Sequence, residues 1–218
     1  MDLIRPIDLR LILVTDRKLS RGRPIEAVAE AAVRGGVTAV QLREKECPAA
    51  EFLDLALRLR AILDRLGIPL IINDAVEIAA ESRAAGVHLG QGDASPVEAR
   101  RLLGPQAIIG LSVESLGQAE AAAEWDLDYL GVSPVFLTAT KTNTGGAWGL
   151  EGLRQLRART QKPLVAIGGI NASNAASVLE AGADGLAAVS AIVSAPDPES
   201  AARELRTIVD RYRPGRTI

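Results

Sequence analysis

Pro69-Leu70-Ile71-Ile72, Val76 to Ala84, Gly86-Val87-His88-Leu89 and Pro96 to Leu103 follow one another with only short breaks. Twice in this stretch a short aliphatic run precedes a segment rich in Ala, Glu and Arg. The runs have the length of strands buried on both faces, and the segments between them have helical periodicity. The same rhythm extends in both directions. Upstream stand the runs Leu11 to Thr15 and Ala39 to Arg43, followed by helical patterns over Pro24 to Arg34 and Ala49 to Leu66. Pro24 suits a first helical position, while Gly35-Gly36 and Gly67 suit helix ends. Downstream come Ala107 to Leu111, Tyr129 to Val132, Leu164 to Ile167 and Gly185 to Val189. Their helical segments are Leu116 to Glu124, about Leu150 to Arg159, Ala175 to Ala181 and Pro198 to about Tyr212. Eight strand-helix units without a linker predict one domain over residues 1–218, an α/β chain closed into a (β/α)8 TIM barrel. An open doubly wound sheet is the alternative.

Composition agrees. The chain has 218 residues and is 48% hydrophobic but only 3% aromatic, so its core must be built from Val, Ile, Leu and Ala. A net charge of -2 offers no general attraction for nucleic acid or for an anionic membrane. Any anion must therefore be held by a local cluster. Cys47 is the one cysteine, which excludes an intrachain disulfide. The first ten residues lack the apolar run of a signal peptide, and no stretch has the length of a membrane span. A cytoplasmic protein is expected.

In a (β/α)8 barrel the chemistry sits where strands end. The second run ends Gln41-Leu42-Arg43-Glu44-Lys45, and alternation puts Gln41, Arg43 and Lys45 on one face and Leu42 and Glu44 on the other. Inward cations at a barrel mouth call for an anion, either a phosphate or a neighbouring carboxylate. Asn73-Asp74 ends the third run, and Asp93 follows the fourth in Gly90-Gln91-Gly92-Asp93. Adjacent strands can bring Asp74 and Asp93 together. Two close carboxylates repel unless a cation lies between them, which points to Mg2+ bridging to a diphosphate. The alternative is that each caps a helix. Ser112 ends the fifth run and can bind phosphate or cap. The loop Ser133 to Gly146 is long, hydroxyl-rich and closed by glycines; Thr138, Thr140 and Lys141 could wrap an anion. Gly168-Gly169-Ile170-Asn171 and Val189-Ser190-Ala191-Ile192 occupy the usual phosphate position of barrels. His88, Trp125 and Trp148 read as packing residues. Cys47, beside Pro48 and without a partner histidine in sequence, does not read as a nucleophile. No glycine-rich nucleotide loop is present.

Taken in order, Gln41-Leu42-Arg43-Glu44-Lys45, Ile72-Asn73-Asp74, His88 to Asp93, Pro134-Val135-Phe136 with Thr138-Ala139-Thr140-Lys141, Ile167 to Ile170 and Val189 to Ile192 resemble the thiamine-phosphate synthase family. The resemblance implies a Mg2+-dependent transferase. Such an enzyme joins hydroxymethylpyrimidine diphosphate to a thiazole phosphate and releases pyrophosphate. It further implies that Gln41, Leu42, Arg43, Glu44, Lys45 and Asn73 bind the pyrimidine diphosphate. Asp74 and Asp93 would hold the metal, and Ser112 would contact the pyrimidine substrate or its pyrophosphate. Thr138, Ala139, Thr140 and Lys141 would serve the thiazole side and the leaving group, and Gly169, Val189 and Ser190 the thiazole phosphate. Arg43, Lys45, Lys141 and Ser112 would carry the catalysis. Ser133, Leu137 and Glu114 depart from the family pattern, which has glycine, proline and histidine there. The implied partners are small molecules, not nucleic acid or membrane, and homo-oligomerisation stays open.

Overall fold

The computed structural model describes residues 7–137 and 146–212. Its strands are β1 (Leu11–Val14), β2 (Ala39–Leu42), β3 (Leu70–Asn73), β4 (Gly86–Leu89), β5 (Ile108–Val113), β6 (Tyr129–Val132), β7 (Leu164–Ile167) and β8 (Gly185–Ala188). All pair in parallel in chain order, and β1 also pairs with β8, so the sheet closes. Closure leaves no unpaired edge and rules out the open-sheet alternative. The helices are α1 (Ile25–Arg34), α2 (Ala49–Leu66), α3 (Val76–Ser82), α4 (Pro96–Leu103), α5 (Leu116–Ala121), α6 (Gly149–Arg157), α7 (Ala175–Glu180), α8 (Ser190–Val193) and α9 (Pro198–Tyr212). Short α8 is the element the sequence pattern did not reveal, since four residues are too few to display a helical period. Pro24 stands just before α1, in extended geometry, and not inside the helix.

Alternation along each strand sorts the apolar residues into two layers. Leu11, Leu13, Val40, Leu42, Ile72 and Leu89 point outward and pack under the helices. In α2 the residues Phe52, Leu55, Ala56, Leu59 and Leu63 form one buried stripe. Full burial of each Leu contributes about 1.5–3 kcal/mol. Ile12, Ala39, Ile71, Tyr129, Val165 and Ala187 point inward and fill the floor of the barrel. Above that floor the inward positions turn polar, with Gln41, His88 and Ser112 all buried. Polar groups therefore collect at the strand ends, at the opening of the barrel. Among the described residues no helix is long and apolar enough to cross a membrane.

Candidate active site

A cavity of about 550 Å³ opens at the C-terminal ends of the strands. Of the residues singled out above, Gln41, Arg43, Lys45, Asn73, Asp74, Asp93, Ser112, Gly169, Val189 and Ser190 all line it. They come from β2, β3, β4, β5, β7 and β8, or from the loops that follow these strands. Two do not join them. Leu42 is fully buried in the outer layer. The Glu44 side chain, 6% exposed, pairs with Arg17 at 3.2 Å and lines a second cleft outside the barrel mouth. Both fall on the outward face of β2, as alternation requires. Thr138, Ala139, Thr140 and Lys141 lie outside the described residues.

The cations of the β2 end are held by carboxylates. Arg43 pairs with Asp16 at 3.2 Å, and its backbone N–H donates to Thr15 Oγ1 at 2.9 Å. Lys45 donates to Asp74. The Asp93 carboxyl lies within hydrogen-bonding reach of Asp74 and accepts from the Gly90 N–H at 2.7 Å. Burial first, and then Asp74, hold Asp93 above the ordinary carboxylate range; Gly90 and Lys45 oppose the rise without cancelling it. Asp74 itself sits at φ 64, a left-handed conformation that glycine, asparagine and aspartate adopt more readily than other residues, with its N–H donating to the His88 carbonyl at 2.8 Å.

Neither aspartate caps a helix. Ala75 precedes α3 without a side-chain cap, and Ser95 caps α4 in a reciprocal box with Glu98. Ser95→Ala should therefore cost about 1 kcal/mol in urea unfolding. Asp93→Asn keeps an acceptor for Gly90 and should cost no such amount. Ser112 is not a cap either: Ser115 caps α5, while Ser112 Oγ lies 2.9 Å from His88 Nε2.

The opposite wall is backbone-rich. Gly168 and Gly169 adopt φ 101 and 68, and added side chains would meet Pro134 at 2.6 Å and Phe136 at 2.9 Å. Asn171 and Asn174 donate to the Gly169 carbonyl at 3.2 and 2.8 Å, fixing the turn. α8 begins at Ser190, and the first N–H groups of a helix have no acceptor within it. Arg23 grips the far end of α8 through the Val193 and Ala195 carbonyls at 2.6 and 2.9 Å. One cavity thus joins a carboxylate-and-cation end to a wall of backbone turns.

Both the sequence and the fold have counterparts among known proteins. The family described as thiamine monophosphate synthase matches residues 11–192. The chain is 55% identical to a thiamine-phosphate synthase of Albidiferax ferrireducens over 93% of this chain and 92% of that one. It is 48% identical to that of Chloroflexus aurantiacus over 96% of each. The chain belongs to the thiamine monophosphate synthase family. A solved structure, the thiamine phosphate pyrophosphorylase of Pyrococcus furiosus, superposes with a TM-score of 0.86 at 38% identity, covering 95% of this chain and 98% of that one. Membership in the thiamine monophosphate synthase family makes the chain a transferase.

Glu114 lines the cavity, and its N–H donates to Gln118. Trp148 donates from Nε1 to the Val113 carbonyl at 3.0 Å and packs on the outer core, a structural role. Cys47 lines the second cleft, where burial pushes its thiol up. Tyr129 escaped the sequence reading as a site residue. The only trace was its place in the 129, 131, 133 alternation of β6, facing the barrel interior.

Proposed function

We propose that this chain condenses hydroxymethylpyrimidine diphosphate with a thiazole phosphate, giving thiamine phosphate and pyrophosphate. The observation that carries this reading is the single cavity with two unlike ends. The paired carboxylates with Lys45 and Arg43 suit a diphosphate with a divalent cation; the Gly169 and Ser190 turns suit a phosphate monoester. Asp74 and Asp93 fit Mg2+, because two oxygen-donor carboxylates held against each other need a cation to relieve them. When bound, Mg2+ would neutralise charge on the diphosphate.

The protein's own groups position and stabilise. Lys45 and Arg43 face the developing negative charge of the departing pyrophosphate, and Lys141 would add its charge to theirs. Releasing Lys45 from Asp74 and Arg43 from Asp16 frees these cations for the substrate. Asn73 and Gln41 orient the pyrimidine, and Ser112 bonds to it or to its diphosphate. Thr138, Ala139 and Thr140 would serve the thiazole side, as the family resemblance implies. Gly169, Val189 and Ser190 hold the thiazole phosphate, so that the ring nitrogen meets the reacting carbon. The methylene C–O bond breaks with both electrons leaving on pyrophosphate, and the thiazole nitrogen lone pair then forms the C–N bond. That nitrogen carries no proton, so no base is required. The aminopyrimidine ring stabilises the intervening cation. A cytoplasmic setting suits two small phosphorylated substrates.

The direct test mixes both precursors with Mg2+. Pyrophosphate should appear only when both are present; none at all overturns the reading. The order of bond breaking has its own test. A trifluoromethyl group in place of the pyrimidine methyl destabilises the cation, and each added 1.36 kcal/mol or so slows the step about tenfold. Single-turnover kinetics, with binding measured separately, should show a slowing of at least about tenfold. An unchanged or faster chemical step would instead favour direct displacement.

A further inference from the structure

Inside the barrel, one level below Ser112, three strands carry His88, Gly110 and Tyr129 as register partners. Gly110 has no side chain, so the residues on either side of it meet over its backbone. His88 Nδ1 lies 2.8 Å from Tyr129 Oη, and the two rings are stacked with centroids 5.4 Å apart. A methyl at Gly110 would fall 2.5 Å from Tyr129 Oη, and one at Gly131 would fall 2.7 Å from His88 Cε1. Two glycines thus make room for two rings. Ser112, two residues along β5 from Gly110 and on the same face, closes the chain through His88 Nε2 at 2.9 Å. The proposed mechanism uses neither ring.

The direction of these hydrogen bonds follows from the chemistry of the groups. Tyr129 is 1% exposed, and its hydroxyl is held far above the usual phenol range, first by burial. It keeps its proton at any working pH, and a buried O–H needs an acceptor. His88 Nδ1 lies 2.8 Å from the hydroxyl and can accept its hydrogen bond. The proton of Tyr129 therefore points to His88 Nδ1. A neutral imidazole that accepts at one nitrogen donates at the other. His88 Nε2–H then donates to Ser112 Oγ and occupies one of its lone pairs. The Ser112 proton is left to point into the cavity, which Ser112 lines.

We propose that Tyr129 and His88 are positioning residues that fix the polarity of Ser112, holding its hydroxyl as a hydrogen-bond donor toward an acceptor atom of the pyrimidine diphosphate. The relay deepens the functional reading above and rests on it for the identity of that substrate. Substrate acceptors are ring nitrogens and phosphate oxygens, and both need a donor. A serine free to rotate would spend part of its time offering a lone pair to them instead.

His88 is the one histidine of the chain, so its imidazole nitrogens can be read directly by 15N NMR of the intact enzyme without substrate. The expected result is Nε2 protonated and Nδ1 bare at neutral pH, with that single tautomer replaced by a mixture in Tyr129→Phe. Nδ1 protonated, or an imidazolium, in the parent protein overturns the relay whether or not the enzyme makes thiamine phosphate. The kinetic arm is a double-mutant cycle. Tyr129→Phe should lower kcat/KM for the pyrimidine diphosphate about tenfold, the scale of one hydrogen bond to a charged or polar substrate. The thiazole-phosphate KM should stay within about twofold. In the Ser112→Ala background the same change should have no further effect on kcat/KM. Additive losses, or equal losses for both substrates, would mean that Tyr129 serves only the packing of the barrel.

Discussion

Replacing either Asp74 or Asp93 by Asn is expected to reduce turnover by at least about 100-fold, the scale of removing one electrostatic stabiliser from a site where charge develops. EDTA should abolish activity, and added Mg2+ should restore it. The two carboxylates lie within hydrogen-bonding reach of each other, and neither serves as a helix cap, so capping does not explain their closeness. The same geometry predicts an opposite effect on stability. Burial and then Asp74 disfavour the charged form of Asp93, and the neutral amide removes that repulsion. Asp93→Asn should therefore unfold at the same temperature as the parent or higher when both are heated in EDTA, while losing its activity. Full activity of the parent protein in EDTA would sink the metal assignment. A lower unfolding temperature for the variant would show that Asp93 supports the fold instead.

Gly169→Val should fall most heavily on the other substrate. The residue sits at φ 68, where a β-branched side chain is strained by about 1–3 kcal/mol, and its new Cβ would meet Phe136 Cβ at 2.9 Å. The turn must shift, and its carbonyl, held by Asn171 and Asn174, must shift with it. Displacement of a binding backbone by about 1 Å can cost about 100-fold. We expect kcat/KM for the thiazole phosphate to fall by about that factor, with the KM of the pyrimidine diphosphate little changed because the β2 and β3 ends are across the cavity. Equal effects on both substrates would mean that Gly169 does not belong to a separate thiazole-phosphate end, and a larger effect on the pyrimidine diphosphate would reverse the assignment. Ser190→Ala should be mild by comparison, since the main-chain donor at the start of α8 survives it.

Much of this site is legible from the chain alone because a parallel barrel imposes simple rules on its sequence. Short apolar runs buried on both faces announce themselves, and so do the helical segments between them. Once eight units are counted, the position of each strand end follows, and polar residues there stand out against an aliphatic background. Gln41, Arg43 and Lys45 separate from Leu42 and Glu44 by period-two alternation alone, and the structure sorts them the same way. Which partner a strand-end group takes is a different kind of question. Asp93 could have capped α4 by its position in sequence, and only the register of the loop gave that role to Ser95. Arg43 meets Asp16 and Lys45 meets Asp74 because the closed sheet sets β2 between β1 and β3, contacts that no local pattern encodes. The pairing of His88 with Tyr129 needs three strands in register and a glycine between them. Strand identity, facing and the opening of the barrel follow from local periodicity, which each segment carries within itself. Contacts across strands depend on shear and closure, which belong to the whole sheet and are settled only when all eight strands pair.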